Sequence, residues 1–260
     1  MLLCIDVGNT QMVIGLFDGD RLLDHWRIAT VAERTSDELA LMVRQFLGFH
    51  GATVPGAAAP AVRGVAVASG VPRVTAALRE MTERYFGTPA LVLEPGIRTG
   101  MPILYDNPKE VGADRIANAV AAYDLYGGPS IVVDFGTANT IEAISAKGEY
   151  LGGAIFPGIE ISMDALFGRA AALRRVELVP PRHVIGKSTV ESIQSGAVYG
   201  FTGQVDALVE RFQDELGDCT VIATGGLAET IIPFSRTIQH HEPWLTIQGL
   251  RIVFERNQAS

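Results

Sequence analysis

The chain has 260 residues, 48% hydrophobic and 19% charged, which is enough to bury one large or two medium cores. A net charge of −8 argues against a nucleic-acid surface and gives an anionic substrate no long-range attraction, so any phosphate site must be built locally. No apolar run approaches the roughly 20 residues that span a bilayer, and the N-terminus lacks the basic and apolar pattern of a signal peptide.

The first elements form a meander. Leu2 to Val7 and Met12 to Phe17 are two β-rich runs separated by Gly8-Asn9-Thr10, and Arg21 to Ile28 is a third. The turn after Asp6 admits two readings. It is an ordinary Gly-Asn hairpin turn, or a loop whose glycine and short polar side chains approach an oxyanion. Thr35 to Glu38 is a capping box opening a helix with Leu39, Met42, Val43 and Phe46 on one face, and residues 48–63 read as a loop. Gly64 to Ser69 is a buried strand, Pro72 starts a helix through Tyr85, and Ala90 to Leu93 is a further strand. Gly112 to Arg115 opens a helix that Gly127-Gly128-Pro129 stops.

The chain then starts again. Ser130 to Asp134, Phe135-Gly136-Thr137 and the strands that follow repeat the opening about 128 residues later. Two similar α/β halves are therefore expected, residues 1–128 and 129–260, each with a mixed sheet and flanking helices. Further on come Gly152-Gly153, Pro157-Gly158, a helix with Met163 and Leu166, and a basic, Pro-rich loop over residues 169–183. Ser188 and Glu191 have capping-box spacing before a helix that reaches about Leu216. Gly196, Gly200 and Gly203 inside that helix suggest close approach of another backbone, such as a second subunit. A strand from Cys219, a Thr224-Gly225-Gly226 turn, a helix and a helical tail over residues 240–258 complete the chain.

Two Asp-x-Gly loops facing each other, with a later Thr-Gly-Gly turn, suit a nucleotide held between two lobes. Asp114, at the start of a helix where negative charge is favoured, is either a capping acid or the base of a phosphoryl transfer. Arg115 is a surface cation, or a ligand for a carboxylate or phosphate. Gly186-Lys187-Ser188 is not the end of a P-loop, because the required first glycine falls at Pro181. His240-His241 has no zinc-site spacing, and Cys4 and Cys219 read as buried thiols of a reducing compartment.

Taken together and in order, these motifs resemble those of the type III pantothenate kinases, of the acetate and sugar kinase and actin superfamily. The motifs are Asp6 to Thr10, Asp106-Asn107-Pro108, Val111 to Arg115, Asp134 to Thr137, Gly152-Gly153, Pro157-Gly158, Ile185-Gly186, Thr189, Thr224 to Gly226, and the tail from Leu245 to Gly249-Leu250. The resemblance implies a duplicated ribonuclease-H-like (actin-like ATPase) fold and ATP-dependent phosphorylation of pantothenate, the entry to coenzyme A synthesis. It implies ATP contacts from Asp6, Val7, Gly8, Asn9, Thr10, Gln11, Met12, Val13 and Thr137. Tyr105, Gly112, Ala113, Asp114, Arg115 and Thr189 would hold pantothenate, with Asp114 as proton acceptor. Asp134 would bind a monovalent cation, K+ or NH4+, and Mg2+ would arrive with the nucleotide. A cytoplasmic homodimer without nucleic-acid or membrane partners is implied. The alternatives are a non-catalytic regulator similar to Bvg accessory factors and a kinase for another small hydroxy acid. The chain departs from the common pattern at Ser69 to Pro72, Asn139, Glu142 and Ser188.

Overall fold

The computed structural model describes residues 1–52, 62–170 and 172–258. These pack as two units. The first comprises Met1–Gly100, Asn107–Ala121 and Thr246–Ser260, and the second Met101–Asp106 and Ala122–Leu245. The sequence cut at residues 128 and 129 assigns the C-terminal helix to the second half, whereas its packing lies in the first unit.

In the first unit, β1 (Leu2–Val7), β2 (Gln11–Asp18), β3 (Arg21–Ala29), β4 (Gly64–Ser69) and β5 (Leu91–Val92) form one sheet. Its order is β3-β2-β1-β4-β5, with β1 antiparallel to β2 and parallel to β4. Helices α1 (Ser36–Ala52) and α2 (Pro72–Met81) belong to the same unit. They set Leu39, Val43, Val74 and Leu78 against Leu3, Ile5, Ile14 and Val67 of the sheet.

The α1 capping box is formed in both directions. Thr35 N donates to Glu38 Oε2 at 2.8 Å, and Glu38 N donates to Thr35 Oγ1 at 3.3 Å. The helix runs through Gly48 to Ala52, so the expected loop starts later than read. Gly48 weakens the helix by about 1 kcal/mol, but the buried Leu47 beside it keeps the turn attached to the core. The rest of that loop, residues 53–61, lies outside the described residues. After α2 the chain makes a π-helical turn, Thr82–Phe86, ended by Gly87 at φ 65°.

The second unit repeats this plan. The strands β6 (Ser130–Phe135), β7 (Ala138–Ile144), β8 (Tyr150–Pro157), β9 (Thr220–Thr224) and β10 (His240–His241) form a sheet of order β10-β9-β6-β7-β8. Again the first strand is antiparallel to the second and parallel to the fourth. Helix α3 (Ala113–Tyr126) precedes β6, its residues to Ala121 belonging to the first unit and those from Ala122 to the second, whereas α4 (Ile159–Arg169), α5 (Thr189–Leu216) and α6 (Ala228–Ile231) follow within this unit. Ile159, Met163, Ala197, Phe201 and Val205 of α4 and α5 cover Ile131, Val133 and Ile141. Ser188 caps α5, accepting from Glu191 N at 3.2 Å, while Glu191 reaches back to Lys187 N at 2.8 Å, one residue beyond the usual box partner. The tail is not helical throughout. His240 and His241 pair in parallel with Ile222 and Ala223, and the final helix α7 is Leu245–Gln258.

Helix α7 lies against the first unit's sheet and against the start of α3. A Cβ on Gly15 would meet Ile247 at 2.5 Å, and one on Gly64 would meet the Phe254 ring at 2.2 Å. These two strand glycines leave the space that the α7 side chains fill.

Candidate active site

In the first unit, β1 delivers Asp6 to the end of the sheet, half-buried, beside Val13 of β2 and Ala68 of β4. The loop that follows is held by one backbone bond of its own and by two bonds from Thr30. Gly8 N donates to Gln11 O at 3.0 Å, Thr30 Oγ1 to Gly8 O at 2.7 Å, and Thr30 N to Thr10 O at 2.9 Å. A Cβ on Gly8 would come within 3.1 Å of Gln11 O, so glycine suits this tight turn. Asn9, Thr10 and Gln11 are exposed. Val7 and Met12 are core residues, 2% and 1% exposed, so only their backbone is presented at the loop.

In the same unit, Gly112 precedes α3, and the exposed Asp114 stands in its first turn. Asp114 Oδ1 accepts from Arg115 N at 2.8 Å. A Cβ on Gly112 would lie 2.4 Å from that oxygen, so this glycine leaves room for the carboxylate to fold over the helix start. There it faces the positive end of the helix dipole. Arg115 is buried to 7% exposure. Sequence spacing had left it open to a surface role, which this burial excludes.

In the second unit, Asp134 occupies the place on β6 that Asp6 occupies on β1, opposite Thr140 of β7 and Thr224 of β9. Three glycine turns close around it. A Cβ on Gly225, at φ 94°, would meet Asp134 Oδ1 and the Phe135 backbone at 2.6 Å. Gly158 N donates to Thr137 O at 3.1 Å, and a Cβ there would strike the carbonyls of Gly136 and Thr137. The Asp134 loop, the Gly225-Gly226 turn and the Pro157-Gly158 turn are thus brought together, with Gly136 and Thr137 exposed. Asp134 itself presents a carboxylate, a hard oxygen donor of the kind that a K+-like cation takes rather than a soft metal. Among the described residues no cluster of three or more His, Cys, Asp or Glu is placed to hold a metal ion.

Also in the second unit, the half-buried Tyr105 packs near Tyr150, ring centroids 6.3 Å apart. The exposed Thr189 begins α5 and lines a cavity of about 460 Å³ between α4 and α5, with Met163, Leu166, Ile193 and Phe201. Motif reading named Glu142 only as a departure from the family pattern and did not single out Tyr150; both are 0% exposed and hydrogen-bonded to each other. A glutamate inside the apolar run 141–144 was the available signal.

The family model for type III pantothenate kinase matches residues 2–211. The chain belongs to the type III pantothenate kinase family. A type III pantothenate kinase of Streptomyces griseus subsp. griseus is 58% identical over 99% of this chain and 98% of its own. Among solved structures, a chain assigned to the Baf family of transcriptional activators from Campylobacter jejuni has a TM-score of 0.62 at 18% identity, covering 99% of this chain and 100% of its own. One assigned as an N-acetylmannosamine kinase from Listeria monocytogenes has a TM-score of 0.55 at 13% identity, covering 99% of each chain. These two share the fold, and it is the actin-like and sugar-kinase fold that the duplicated strand order anticipates. As members of a kinase family, chains of this kind act as phosphotransferases, and the glycine turns around Asp6 and Asp134 are its phosphate-loop candidates.

Proposed function

We propose that this enzyme transfers the γ-phosphoryl group of ATP to the 4′-hydroxyl of pantothenate, giving 4′-phosphopantothenate and ADP at the entry to coenzyme A synthesis. The observation that carries this reading is 58% identity over nearly the full length of a type III pantothenate kinase. The acids and glycines of the motifs are also present: Asp6, Gly8, Gly112, Asp114, Asp134 and Gly136. In this reading the loop Asp6 to Val13 and Thr137 contact ATP, with Val7 and Met12 contributing backbone atoms only. Tyr105, Gly112, Ala113, Arg115 and Thr189 hold pantothenate.

Asp114 takes the proton of the 4′-hydroxyl as its oxygen attacks the γ-phosphorus. The bond from that phosphorus to the β,γ-bridging oxygen breaks, and ADP leaves. Positioning and charge stabilisation are the protein's main work in such a transfer. An exposed carboxylate at a helix start is open to an incoming hydroxyl and can accept its proton. Arg115 offers a rigid fork of donors for an anionic substrate group. Asp134 holds a K+ or NH4+ ion, which supplies positive charge near the phosphates of an otherwise acidic protein, and Mg2+ enters with the nucleotide.

The active form is a homodimer. Ile161, Leu166, Val184, Ile185 and Val190 of the second unit expose apolar side chains, Ile185 at 76%, and grouped exposure of this kind marks an interaction surface. Cβ positions on Gly196, Gly200 and Gly203 meet nothing within 4 Å among the described residues, which leaves their side of α5 open to a second copy. The location is the cytoplasm; Cys4 and Cys219 are free, as suits a reducing compartment, and burial pushes both thiols up. No described helix is long and apolar enough to cross a membrane.

The test is ADP release over a panel of small hydroxy acids in potassium, ammonium and sodium buffers. Turnover is expected with pantothenate, in potassium or ammonium. A faster acceptor would change the substrate, and equal rates in sodium would remove the cation role of Asp134.

A further inference from the structure

Tyr105 lies on a short segment, residues 101–106, that has no regular secondary structure of its own. Its place is set by one residue of β8. Tyr150 N donates to Pro102 O at 2.9 Å, Leu104 N donates to Tyr150 O at 2.8 Å, and Ile103 pairs with Tyr150 as a parallel bridge. The Tyr150 ring is fully buried and tilted 60° from the Tyr105 ring. Its hydroxyl donates to Glu142 Oε2, a carboxyl group that is itself fully buried on β7. Burying a carboxyl group is costly unless it is hydrogen-bonded, so this pair holds both partners in one arrangement.

The two glycines of the Gly152-Gly153 motif complete the arrangement. Gly152, at φ 132°, sits in a backbone conformation that favours glycine, and a Cβ there would touch the Tyr105 ring at 3.5 Å. A Cβ on Gly153 would lie 2.8 Å from Glu142 Oε2 and 2.0 Å from Ile141 O. Gly152 thus lies against the Tyr105 ring, and Gly153 gives the Glu142 carboxyl its place. A register shift between Ala143 and Ile144 occurs where β7 passes Tyr150.

We propose that Tyr150 and Glu142 are a positioning pair that fixes Tyr105 as a wall of the pantothenate site, and so set affinity for the acceptor without affecting affinity for ATP. This rests on the reading that Tyr105 contacts pantothenate. Neither residue touches the reacting atoms. Their effect is preorganisation: a ring already held in its bound position loses less freedom when the acceptor arrives. The pair also gives a role to Glu142, where the chain departs from the common family pattern.

The experiment measures KM for pantothenate and for ATP separately in Tyr150→Phe, Tyr105→Ala, the double variant and Glu142→Gln. Tyr150→Phe deletes one buried hydrogen bond and is expected to raise the pantothenate KM about tenfold, with the ATP KM within about twofold of wild type. The double variant is expected to bind pantothenate no worse than Tyr105→Ala alone, because Tyr150 acts through Tyr105. Glu142→Gln keeps an acceptor for the Tyr150 hydroxyl and is expected to stay within about threefold of wild type. Should Tyr150→Phe not fold, Glu142→Leu, which removes the acceptor, carries the test: the same rise in the pantothenate KM is expected, and an unchanged value would overturn the assignment. An unchanged pantothenate KM in Tyr150→Phe, additive effects in the double variant, or a tenfold rise in Glu142→Gln would overturn the assignment. If Tyr105→Ala itself leaves the pantothenate KM unchanged, the reading of Tyr105 as a pantothenate contact fails, and the positioning role falls with it.

Discussion

Asp114 owes its placement to its neighbour. Gly112 leaves the volume in which the carboxylate folds over the α3 start, and the Arg115 N–H donates to it at 2.8 Å. In the proposed role of general base it is expected to matter for turnover and not for folding. Asp114→Asn should keep the fold and ATP affinity while losing about 10²–10⁴-fold in kcat, measured by coupled ADP release with ATP binding followed by calorimetry. A rate near wild type would sink the assignment. The places of Asp114, Asp6 and Asp134 in the fold were legible in the sequence because each sits at a strand end or helix start near glycine, whereas spacing alone left their roles open between a turn or cap and a site. The Tyr150–Glu142 bond was not legible. It joins two strands through a register shift, and no local pattern encodes a tertiary hydrogen bond. Asn139 is a similar case: it is fully buried opposite Phe135, and neither of its amide atoms has a hydrogen-bond partner among the described residues. Motif comparison flags the residue as a departure from the pattern but cannot place it on the core face.

Among the elements, α5 and α7 carry constraints that can be measured. Asp206 on α5 is 3% exposed and accepts from Ser235 Oγ at 2.6 Å, Thr237 Oγ1 at 2.8 Å and Arg236 N at 3.1 Å, pinning the segment after α6 to α5. Burial pushes its pKa up, but these donors outweigh burial and hold the carboxyl below the usual aspartate range. A depressed folded-state pKa contributes stability that is present above the unfolded value of about 3.9 and is lost as pH falls through the folded one. Asp206→Asn should therefore cost roughly 1–3 kcal/mol at pH 7, and its deficit in urea melts should narrow below about pH 4. A deficit that stays constant down to pH 3 would contradict this account. At α7, Gly249 packs on the α3 backbone, where a Cβ would lie 2.0 Å from Ala117 O. Gly249→Ala is expected to destabilise by about 1–3 kcal/mol in the same assay, and unchanged stability would show that the helix docks elsewhere. Helix starts were well marked by Thr35 and Ser188, whose side chains do cap. The two-residue strand β10 and the run of α1 past Gly48 were not marked, because pairing and core packing decided them against local propensity.

At the scale of the whole molecule, the internal repeat was the most informative feature of the sequence. The opening Asp-x-Gly turn taken alone reads equally as a hairpin. Its return at Asp134 foretold two sheets, and their strand orders match element for element. What the repeat could not indicate is that α7, at the far end of the chain, completes the first unit, since its apolar face matches either half by pattern alone. The central claim is the reaction itself, and its most direct test is mass-spectrometric analysis of pantothenate incubated with ATP, Mg2+, K+ and the purified protein. The expected result is 4′-phosphopantothenate formed in equal amount to ADP. ATP hydrolysis with pantothenate recovered unmodified would contradict it.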